Sequence, residues 1–392
     1  MALVQRPLSE SDLDQMWEIE LEAFNVDPAH RESWRRWECA AGPERFEGIF
    51  LDGRLIAAAG VLGLGQWFGE RSVPMGGVRA VVVRSEHRGR GHATRAVRAC
   101  LAAMRARGEV VSALYPAVVR PYRRLGWGIA GTLVFRTVPT RALAAVPAST
   151  VPVRRATASD RDVIRACYER VARDTNGFVD RSSGRWDWMF WRIADDYVFV
   201  AGEDGYVVYR HLDKPPAGPE GFRILVLELV ATTADAYRAL WGLLAAASSV
   251  VPAITYRSGP TDLLSSLLDG LEIAVARERQ WMLRLVDAPA AIAARGWTQD
   301  RRVAVPLDIV DDDCPWNAGR HVLVVEDGHG QLEPGGSGAV RLGIGAFSSL
   351  YSGFATTPLL ARTGLLEGGT AIERAALDRV FAGPTPWMLD EF

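Results

Sequence analysis

Residues 81–95 constrain the fold of this chain more than any other segment, because they join a strand to a helix through a glycine-containing turn. The three valines at 81–83 predict a strand, and helix-forming sequence follows the turn. Within the turn, Gly89 and Gly91 let the backbone approach a ligand closely, and the first amides of the helix point at the same spot. The segment therefore predicts a strand, an anion-binding loop and a helix.

The spacing of this turn excludes two common phosphate loops. A Walker loop needs Gly-Lys-Ser/Thr, and the dinucleotide fingerprint needs a further glycine after Gly91. The chain has instead an R-x-x-G-x-A pattern from Arg88 to Ala93, in which Arg88 and Arg90 add positive charge. The pattern predicts a site for a pyrophosphate, and the alternative is a plain strand-to-helix turn with solvated arginines.

Composition narrows the class of protein. The chain has 392 residues, which predicts two or three domains. Its 45 lysines and arginines nearly balance 47 acids, a formal charge of −2, so it makes no general case for nucleic-acid binding. The start lacks the apolar core of a signal peptide and no apolar run is long enough to span a bilayer, which predicts a cytoplasmic protein with no membrane partner. No histidine or cysteine spacing predicts a metal site, and packed thiols are expected at Cys39, Cys100, Cys167 and Cys314.

The first 139 residues alternate strand and helix signals in a definite order. That order is strand 3–7, helix 13–24, strands 46–50, 55–62 and 78–83, helix 94–107, strand 110–115, a short helix in 120–128 and strand 132–137. Residues 140–152, rich in alanine and proline, predict a linker.

A second cycle follows the linker, with strand 153–156, helix 161–173 and a strand at 224–230 in the place of 78–83. The residues after this last strand contain neither glycine nor arginine where a pyrophosphate would lie, so this copy is predicted to be catalytically silent. From about residue 292 an α+β unit is predicted, with a turn-rich region at 327–338. The chain ends on an apolar segment, 386–392, which is expected to dock in a buried position.

The loop at 88–93 resembles the acyl-coenzyme A loop of GCN5-related N-acetyltransferases. With the Tyr-x-x-x-Gly pattern at Tyr122, the degenerate second copy, the α+β tail and the final Phe392, the whole chain resembles the Eis (enhanced intracellular survival) family. The resemblance implies an α+β fold, in which tandem acetyltransferase domains with mixed sheets flanked by helices precede a sterol-carrier-protein-like domain. The limits we predict are 1–139, 140–291 and 292–392.

The resemblance also implies an activity and an assembly. We expect an acetyl-CoA-dependent N-acetyltransferase that acetylates amines of a cationic small molecule such as an aminoglycoside, assembled as a homo-hexamer, with no metal. Carried over residue by residue, the family roles make Tyr122 the general acid and the carboxylate of Phe392 the general base. The positions expected to contact acetyl-CoA are Val81, Val82, Val83, Arg88, Gly89, Arg90, Gly91, His92, Ala93, Thr94, Ala117 and Val118.

Amine acetylation explains why two such groups are needed, since the amine must lose a proton and the departing thiolate must gain one. A phenol such as Tyr122 can donate to a thiolate, although the same residue could be a core tyrosine packed on Trp127. A terminal carboxylate desolvated by Trp387 and the Phe392 ring can accept a proton, although it could equally belong to an anchored, solvated tail.

Acceptor recognition is predicted from charge and aromatic residues. Asp27, Asp390 and Glu391 predict an acidic pocket for a polyamine, or a solvated rim. Aromatic residues predict an apolar wall or plain core, and they are Phe24, Trp34, Trp37, Trp186, Trp188, Phe190 and Trp191. Two alternative functions remain: a protein or peptide lysine acetyltransferase, and a non-enzymatic carrier of lipids or small molecules.

Overall fold

The structure is a computed structural model that describes residues 2–212, 221–298 and 302–392. The described residues form a sheet of thirteen strands and a separate sheet of five, both flanked by helices. None of the described helices has the length and apolar character needed to cross a membrane. The predicted α+β fold is confirmed.

The first part of the chain follows the predicted order. Its strands are β1 (Leu3–Pro7), β2 (Phe46–Leu51), β3 (Arg54–Phe68), β4 (Arg71–Val83), β5 (Val111–Leu114) and β6 (Gly128–Pro139). Its helices are α1 (Leu13–Phe24), α2 (Arg31–Ala41), α3 (His92–Ala106) and α4 (Val119–Arg124). Helix α3 buries one face, at 96, 97, 100, 101 and 104, against strands β2–β4, which fixes the position of its N-terminus.

The second part repeats much of this arrangement. Its strands are β7 (Val153–Arg155), β8 (Val179–Asp180), β9 (Tyr197–Ala201), β10 (Gly205–His211), β11 (Ile224–Ala231), β12 (Ala253–Ser258) and β13 (Ala274–Leu285). Its helices are α5 (Arg161–Arg173), α6 (Ser183–Arg192) and α7 (Ala234–Ala245), and α8 (Ala288–Ala294) leads out of it.

The predicted linker at 140–152 is partly wrong. Residues Thr140–Ala145 form a 3₁₀ turn, and the Leu143 side chain is buried in the same apolar cluster as helix α7. The amide of Thr140 donates to the carbonyl of Pro252, which ties the segment to the start of β12. The alanine and proline content misled the prediction, because Thr140 and Leu143 are buried and Ala142 and Val146 pack against the same apolar cluster.

Strands β6 and β13 join the two parts into one sheet. Strand β13 lies between β5 and β6, and β6 in turn pairs with β12, so the order through the middle is β5-β13-β6-β12. Strand β13 of the second part thus pairs with β5 of the first part, and strand β6 of the first part pairs with β12 of the second. The two parts form one continuous platform, and the predicted domain limits remain a prediction.

The third part carries its own sheet. Its strands are β14 (Val303–Val310), β15 (Gly319–Glu326), β16 (His329–Pro334), β17 (Val340–Gly343) and β18 (Leu366–Gly368). Its helices are α9 (Ile344–Ser352), α10 (Thr357–Arg362) and α11 (Ala371–Phe381). The turn-rich reading of 327–338 is wrong for its centre, because β16 pairs with β15 there behind a two-residue turn at Asp327 and Gly328.

Candidate active site

A gap opens in the large sheet where strands β4 and β5 stop pairing. They pair in parallel only between Met75–Gly77 and Val111–Ala113, whereas β4 continues to Val83. We call this gap the first notch. A β-bulge in β4 lies at its edge, where Ala80 has a φ of 47° and the register with β3 shifts. Such a strained, unpaired position re-aims the backbone toward the gap.

The predicted loop follows directly from the first notch. Gly89 and Gly91 have φ values of 75° and 81°, which side chains rarely adopt, and helix α3 begins at His92. A Cβ built at either glycine meets no atom of the described residues within 4 Å, so the backbone conformation rather than crowding requires glycine here. The loop places helix amides at an open surface, as an anion site requires.

Charge around the loop is positive. Arg88 and Arg90 are exposed, and the Nε of Arg88 donates to the carbonyl of Val83 at 3.3 Å. Burial lowers the pKa of His92, and the nearby His87 and Arg90 lower it further. The imidazole is thus neutral near pH 7, while the arginines supply the charge for an anion. Ala93 and Thr94 lie half-buried in the first turn of α3.

The three valines of β4 divide between two faces of the sheet. Val82 is buried in the cluster beneath helix α1. Val81 and Val83 are half-buried and pack on the opposite cluster, which also contains Tyr122. Val81, Val83 and Tyr122 thus pack on one side of the sheet, and the contacts with acetyl-CoA remain predictions.

Tyr122 lies on helix α4, half-buried beside the first notch. Its ring meets Trp127 edge-on, with ring centroids 6.1 Å apart. Burial, helped by the neighbouring Cys100, raises the pKa of Tyr122 to about 12, so the phenol keeps its proton near pH 7. The packing on Trp127 and a proton-donating role are compatible in this geometry. Ala117 and Val118 lie exposed in the bend before α4, where their apolar side chains leave only backbone groups for polar contacts.

The end of the chain reaches the floor of the first notch. A Cβ at Gly77, where β4 and β5 separate, would lie 2.7 Å from the ring of Phe392. The hydroxyl of Tyr115, just past β5, donates to the carbonyl of Met388. Met388 and Leu389 are buried, so the prediction of a docked terminus is confirmed.

The predicted acidic pocket is wrong, because arginines already pair with Asp390 and Glu391, and Asp27 lies in an exposed turn. Asp390 is buried and accepts hydrogen bonds from Arg181 and Arg185 at 3.0–3.2 Å. Burial opposes its ionisation, but the two arginines outweigh this effect and hold the pKa of Asp390 below its usual range. Glu391 pairs with Arg257 and Arg279. Asp27 is exposed and caps a short helical turn through the amide of Ala29.

A cavity of about 420 Å³ lies beside Phe392. Its walls include the indoles of Trp37 and Trp188, whereas Trp186 and Phe190 belong to the core. Its charged lining residues are Glu38, Arg45, Arg79 and Arg185. The acidic partners of these arginines, Glu109, Glu38 and Asp390, have at most 8% of their side chains exposed. Each of these arginines is therefore paired with a carboxylate that is itself largely buried.

A second notch exists in the second part, and the chain's own tail packs against it. Strand β11 pairs with β12 only over Ile224–Val226 and then continues to Ala231. Leu389 lies in the same apolar cluster as residues 227 and 230 of β11. Arg181 bridges Glu228 of β11 and Asp390, at 2.6 and 3.0 Å. The following turn has no positive-φ residue, and Thr233 caps α7 directly.

Several residues that shape this region could not be found from sequence patterns. The bulge at Ala80 has no composition cue, and Arg181 and Arg185 lie some two hundred positions before the Asp390 that they bind. Glu20 and Glu38 both lie near Arg79. Burial, together with Glu38, raises the pKa of Glu20 to about 7.

Within the described ranges, no group of three or more His, Cys, Asp or Glu side chains could hold a metal ion.

Comparison with family models divides the chain in three. Acetyltransferase (GNAT) domain models match residues 5–130 and 177–285, and a sterol carrier protein domain model matches residues 288–389. The two acetyltransferase matches contain the two notches, and the third match contains the five-stranded sheet.

Relatives match nearly the whole chain. An uncharacterized N-acetyltransferase of Streptomyces avermitilis is 29% identical over 345 residues, 83% of each chain. N-acetyltransferase Eis of Mycobacterium tuberculosis is 29% identical over 344 residues, 81% of this chain and 80% of the relative. The crystal structure of a GCN5-related N-acetyltransferase from Kribbella flavida is 31% identical, with a TM-score of 0.88 over 100% of this chain and 98% of that one. Eis1 from Mycobacterium abscessus has a TM-score of 0.85 at 27% identity, with both chains fully covered.

Proposed function

The chain belongs to the Eis family of GCN5-related N-acetyltransferases, and on this premise we propose that it transfers the acetyl group of acetyl-CoA to an amine of a small molecule. The observation that carries this proposal is the position of Phe392 at Gly77, the floor of the first notch. The first notch and the glycine loop follow one another along β4, and Tyr122 packs on the same apolar cluster as Val81 and Val83.

The residues present fit an acyl-coenzyme A. At 81–83, where β4 no longer pairs with β5, the strand would offer backbone groups to a pantetheine arm, and residues 88–94 would offer amides and two arginines to a pyrophosphate. Ala117 and Val118 contribute backbone contacts only. The bound thioester supplies an activated acetyl group, and the chain supplies orientation and proton transfer.

Two proton transfers complete the reaction. As the amine nitrogen bonds to the acetyl carbon, its proton passes to the carboxylate of Phe392. As the carbon–sulfur bond breaks, the phenol of Tyr122 donates its proton to the thiolate sulfur. The raised pKa of Tyr122, about 12, keeps that proton available at neutral pH. Phe392 lines the cavity, so an amine bound there would have its carboxylate as a neighbouring base.

An extension after Phe392 tests the base. Two alanines added there should reduce thiol release from acetyl-CoA by about 10²-fold or more, because the carboxylate moves away from the notch. Acetyl-CoA binding should persist, since the loop is untouched. A control chain with the same alanines added before Met1 should turn over normally. Undiminished turnover after the C-terminal extension would refute the base assignment.

The acceptor panel for this assay includes aminoglycosides, polyamines and lysine peptides. Aminoglycosides belong there because the family resemblance predicts them. Preference for a lysine peptide would favour a protein acetyltransferase, and acetyl-CoA binding without turnover of any amine would favour the carrier function. The resemblance also predicts a homo-hexamer, and sedimentation equilibrium of the purified chain tests the assembly.

A further inference from the structure

A second cavity, of about 540 Å³, lies between helix α4 of the first part and helices α9 and α10 of the third. We call it the α4–α9 cavity. Among the described residues, it shares no lining residue with the cavity beside Phe392, so it is separate from the proposed acceptor site. Its volume lies in the range of about 300–1,000 Å³ that is usual for small-molecule sites.

Two parts of the chain form the walls of the α4–α9 cavity, and they meet through glycines. A Cβ at Gly128, the first residue of β6, would collide with the carbonyl oxygen of Gly345 in α9. The backbones of the first and third parts therefore touch at this point. Both glycines line the cavity, which is thus bounded by directly packed elements of the fold.

The lining of the α4–α9 cavity is mainly apolar. Buried apolar side chains contribute to it, and they include Trp127, Ile344 and Leu360. Leu359 and Leu365 also line it, yet they leave 49% and 54% of their surface exposed. We call these two leucines the mouth of the cavity. Because covering exposed leucine surface is favourable, the cavity and its mouth suit an apolar chain.

Two arginines without carboxylate partners border the same cavity. Arg123 and Arg124 lie on α4, and both are exposed. Within the part of the chain that the structure describes, neither makes an ion pair with a carboxylate. Guanidinium groups bind carboxylates through paired hydrogen bonds, so these arginines suit an anionic end group on the apolar chain.

The carboxylates that line the cavity offer less free charge than the arginines. Asp311 is buried and accepts from Arg284 at 2.8 Å, and Asp313 pairs with Arg98 at 2.5 Å. Asp312 is exposed and has no ion pair among the described residues. Two unpaired arginines thus stand against one unpaired aspartate, which favours an anion over a cation.

We propose that the α4–α9 cavity binds a fatty acid, with the alkyl chain on the apolar lining and the carboxylate at Arg123 and Arg124. The site is separate from the first notch, so the proposal stands or falls independently of acetyl transfer. A chain bound there touches Trp127, whose ring also contacts Tyr122.

Three ligands with one chain length test the charge preference: decanoate, decanol and the cationic decylamine. Calorimetry on the full chain measures decanoate directly and the other two by displacement of decanoate, so that their binding elsewhere does not count. We expect decanoate to bind at least about tenfold more tightly than decanol, and decylamine to bind most weakly. The proposal is overturned if decanoate does not bind, or if decylamine displaces it as well as decanoate itself would.

Reversal of the two arginine charges tests their role. Arg123→Glu combined with Arg124→Glu should weaken decanoate at least about tenfold and remove its advantage over decanol. Arg71→Glu combined with Arg120→Glu makes the same charge change at two exposed arginines outside the cavity lining, one of them on α4. That control should bind decanoate normally. Undiminished preference for decanoate after the change at 123 and 124 would overturn the proposal.

Filling the cavity provides a second test that leaves the arginines in place. Gly343 lines the cavity with a φ of −74°, and a Cβ there would meet only the carbonyl oxygen of Val310, at 4.0 Å. Gly343→Leu should therefore fold and should weaken decanoate and decanol alike, by about tenfold or more. Gly242→Leu, at an exposed position of α7, is the control, and thermal melts check both variants.

Full decanoate affinity in Gly343→Leu would place the ligand elsewhere and overturn the proposal. A second copy of this chain is the competing occupant of the mouth. If decanoate does not bind and Leu365→Glu lowers the mass found by sedimentation equilibrium, the mouth belongs to an interface between copies and the fatty-acid site is refuted.

Discussion

The two acetyltransferase-like halves share an arginine–aspartate pair at their start, which we call the clamp, but they differ at the loop that follows the notch. In the first half, Arg6 pairs with Asp12, which also accepts from the backbone of Ser9. In the second, Arg154 pairs with Asp160 in the same way. The halves differ after strands β4 and β11, because only β4 is followed by a loop with glycines and arginines, at residues 88–93.

This difference separates what the fold needs from what a ligand needs. The clamp joins the opening strand to the following helix in both halves and depends only on local spacing. The loop is dispensable for folding, since the second half forms the same strand, gap and helix without it. The second notch packs against the tail instead, and the tail brings Phe392 to the first notch. We infer that the second half positions the terminus of the chain.

Removing the phenol oxygen of Tyr122 should have the largest effect. Tyr122→Phe should reduce kcat by about 10²- to 10⁴-fold, because the thiolate loses its proton donor. Binding of acetyl-CoA should be unchanged within about twofold, since the ring packing on Trp127 remains. Steady-state kinetics and calorimetry measure the two effects. Tyr237→Phe, which removes a phenol oxygen from the second half, is the control; an equal loss of kcat there would break the contrast between the halves.

Detaching the tail from the second notch should be next in size. Asp390→Asn leaves the buried guanidinium of Arg185 without its carboxylate and should cost on the order of 3 kcal/mol of unfolding free energy. It should also lower kcat by at least about tenfold, because the position of the terminal carboxylate is no longer fixed. Urea denaturation and kinetics measure both. Asp327→Asn, the same substitution in the exposed turn before β16, is the control. An Asp390→Asn chain with unchanged stability and full kcat would contradict the role of the tail in positioning Phe392.

A smaller, pH-dependent effect is expected at Glu20. Because burial raises its pKa to about 7, the folded chain holds a proton there that the unfolded chain releases near pH 4.5. Stability should therefore fall as the pH rises from about 4.5 to 7, and Glu20→Gln should recover on the order of 2 kcal/mol above pH 7. Below pH 4.5 the two proteins should melt alike. Thermal melts across this range measure the change in stability with pH, and Glu32→Gln on the neighbouring helix is the control. A stability that rises from pH 4.5 to 7 would contradict the prediction.

The shared clamp should give the smallest effect, of similar size in both halves. The hydrogen bond from Arg6 lowers the pKa of Asp12 to about 2, so its contribution is present above about pH 3.8 and is lost as the pH falls toward 2. Asp12→Asn and Asp160→Asn should each cost about 1 kcal/mol at pH 7. Denaturation curves at pH 7 and pH 3 measure the cost and its decline. A loss confined to one half would show that the clamps are not equivalent.

Local patterns in the sequence predicted much of this molecule. The valine run, the positive-φ glycines and the start of α3 are set by neighbouring residues, so the loop could be placed from spacing alone. Sequence patterns failed for the acidic pocket. Arg181 and Arg185 neutralise Asp390, and only the folded chain brings them to it. The exchange of β6 and β13 is likewise a long-range pairing with no local signal.

Counting the acetyl-CoA molecules bound per chain tests the central claim most directly. Isothermal titration calorimetry should give one site per chain, and Gly91→Val should abolish it, because a β-branched residue cannot adopt a φ of 81° without strain. Circular dichroism and a thermal melt of the variant check that it folds. Two sites per chain, or one site that survives in Gly91→Val, would contradict the assignment of acetyl-CoA to the first notch.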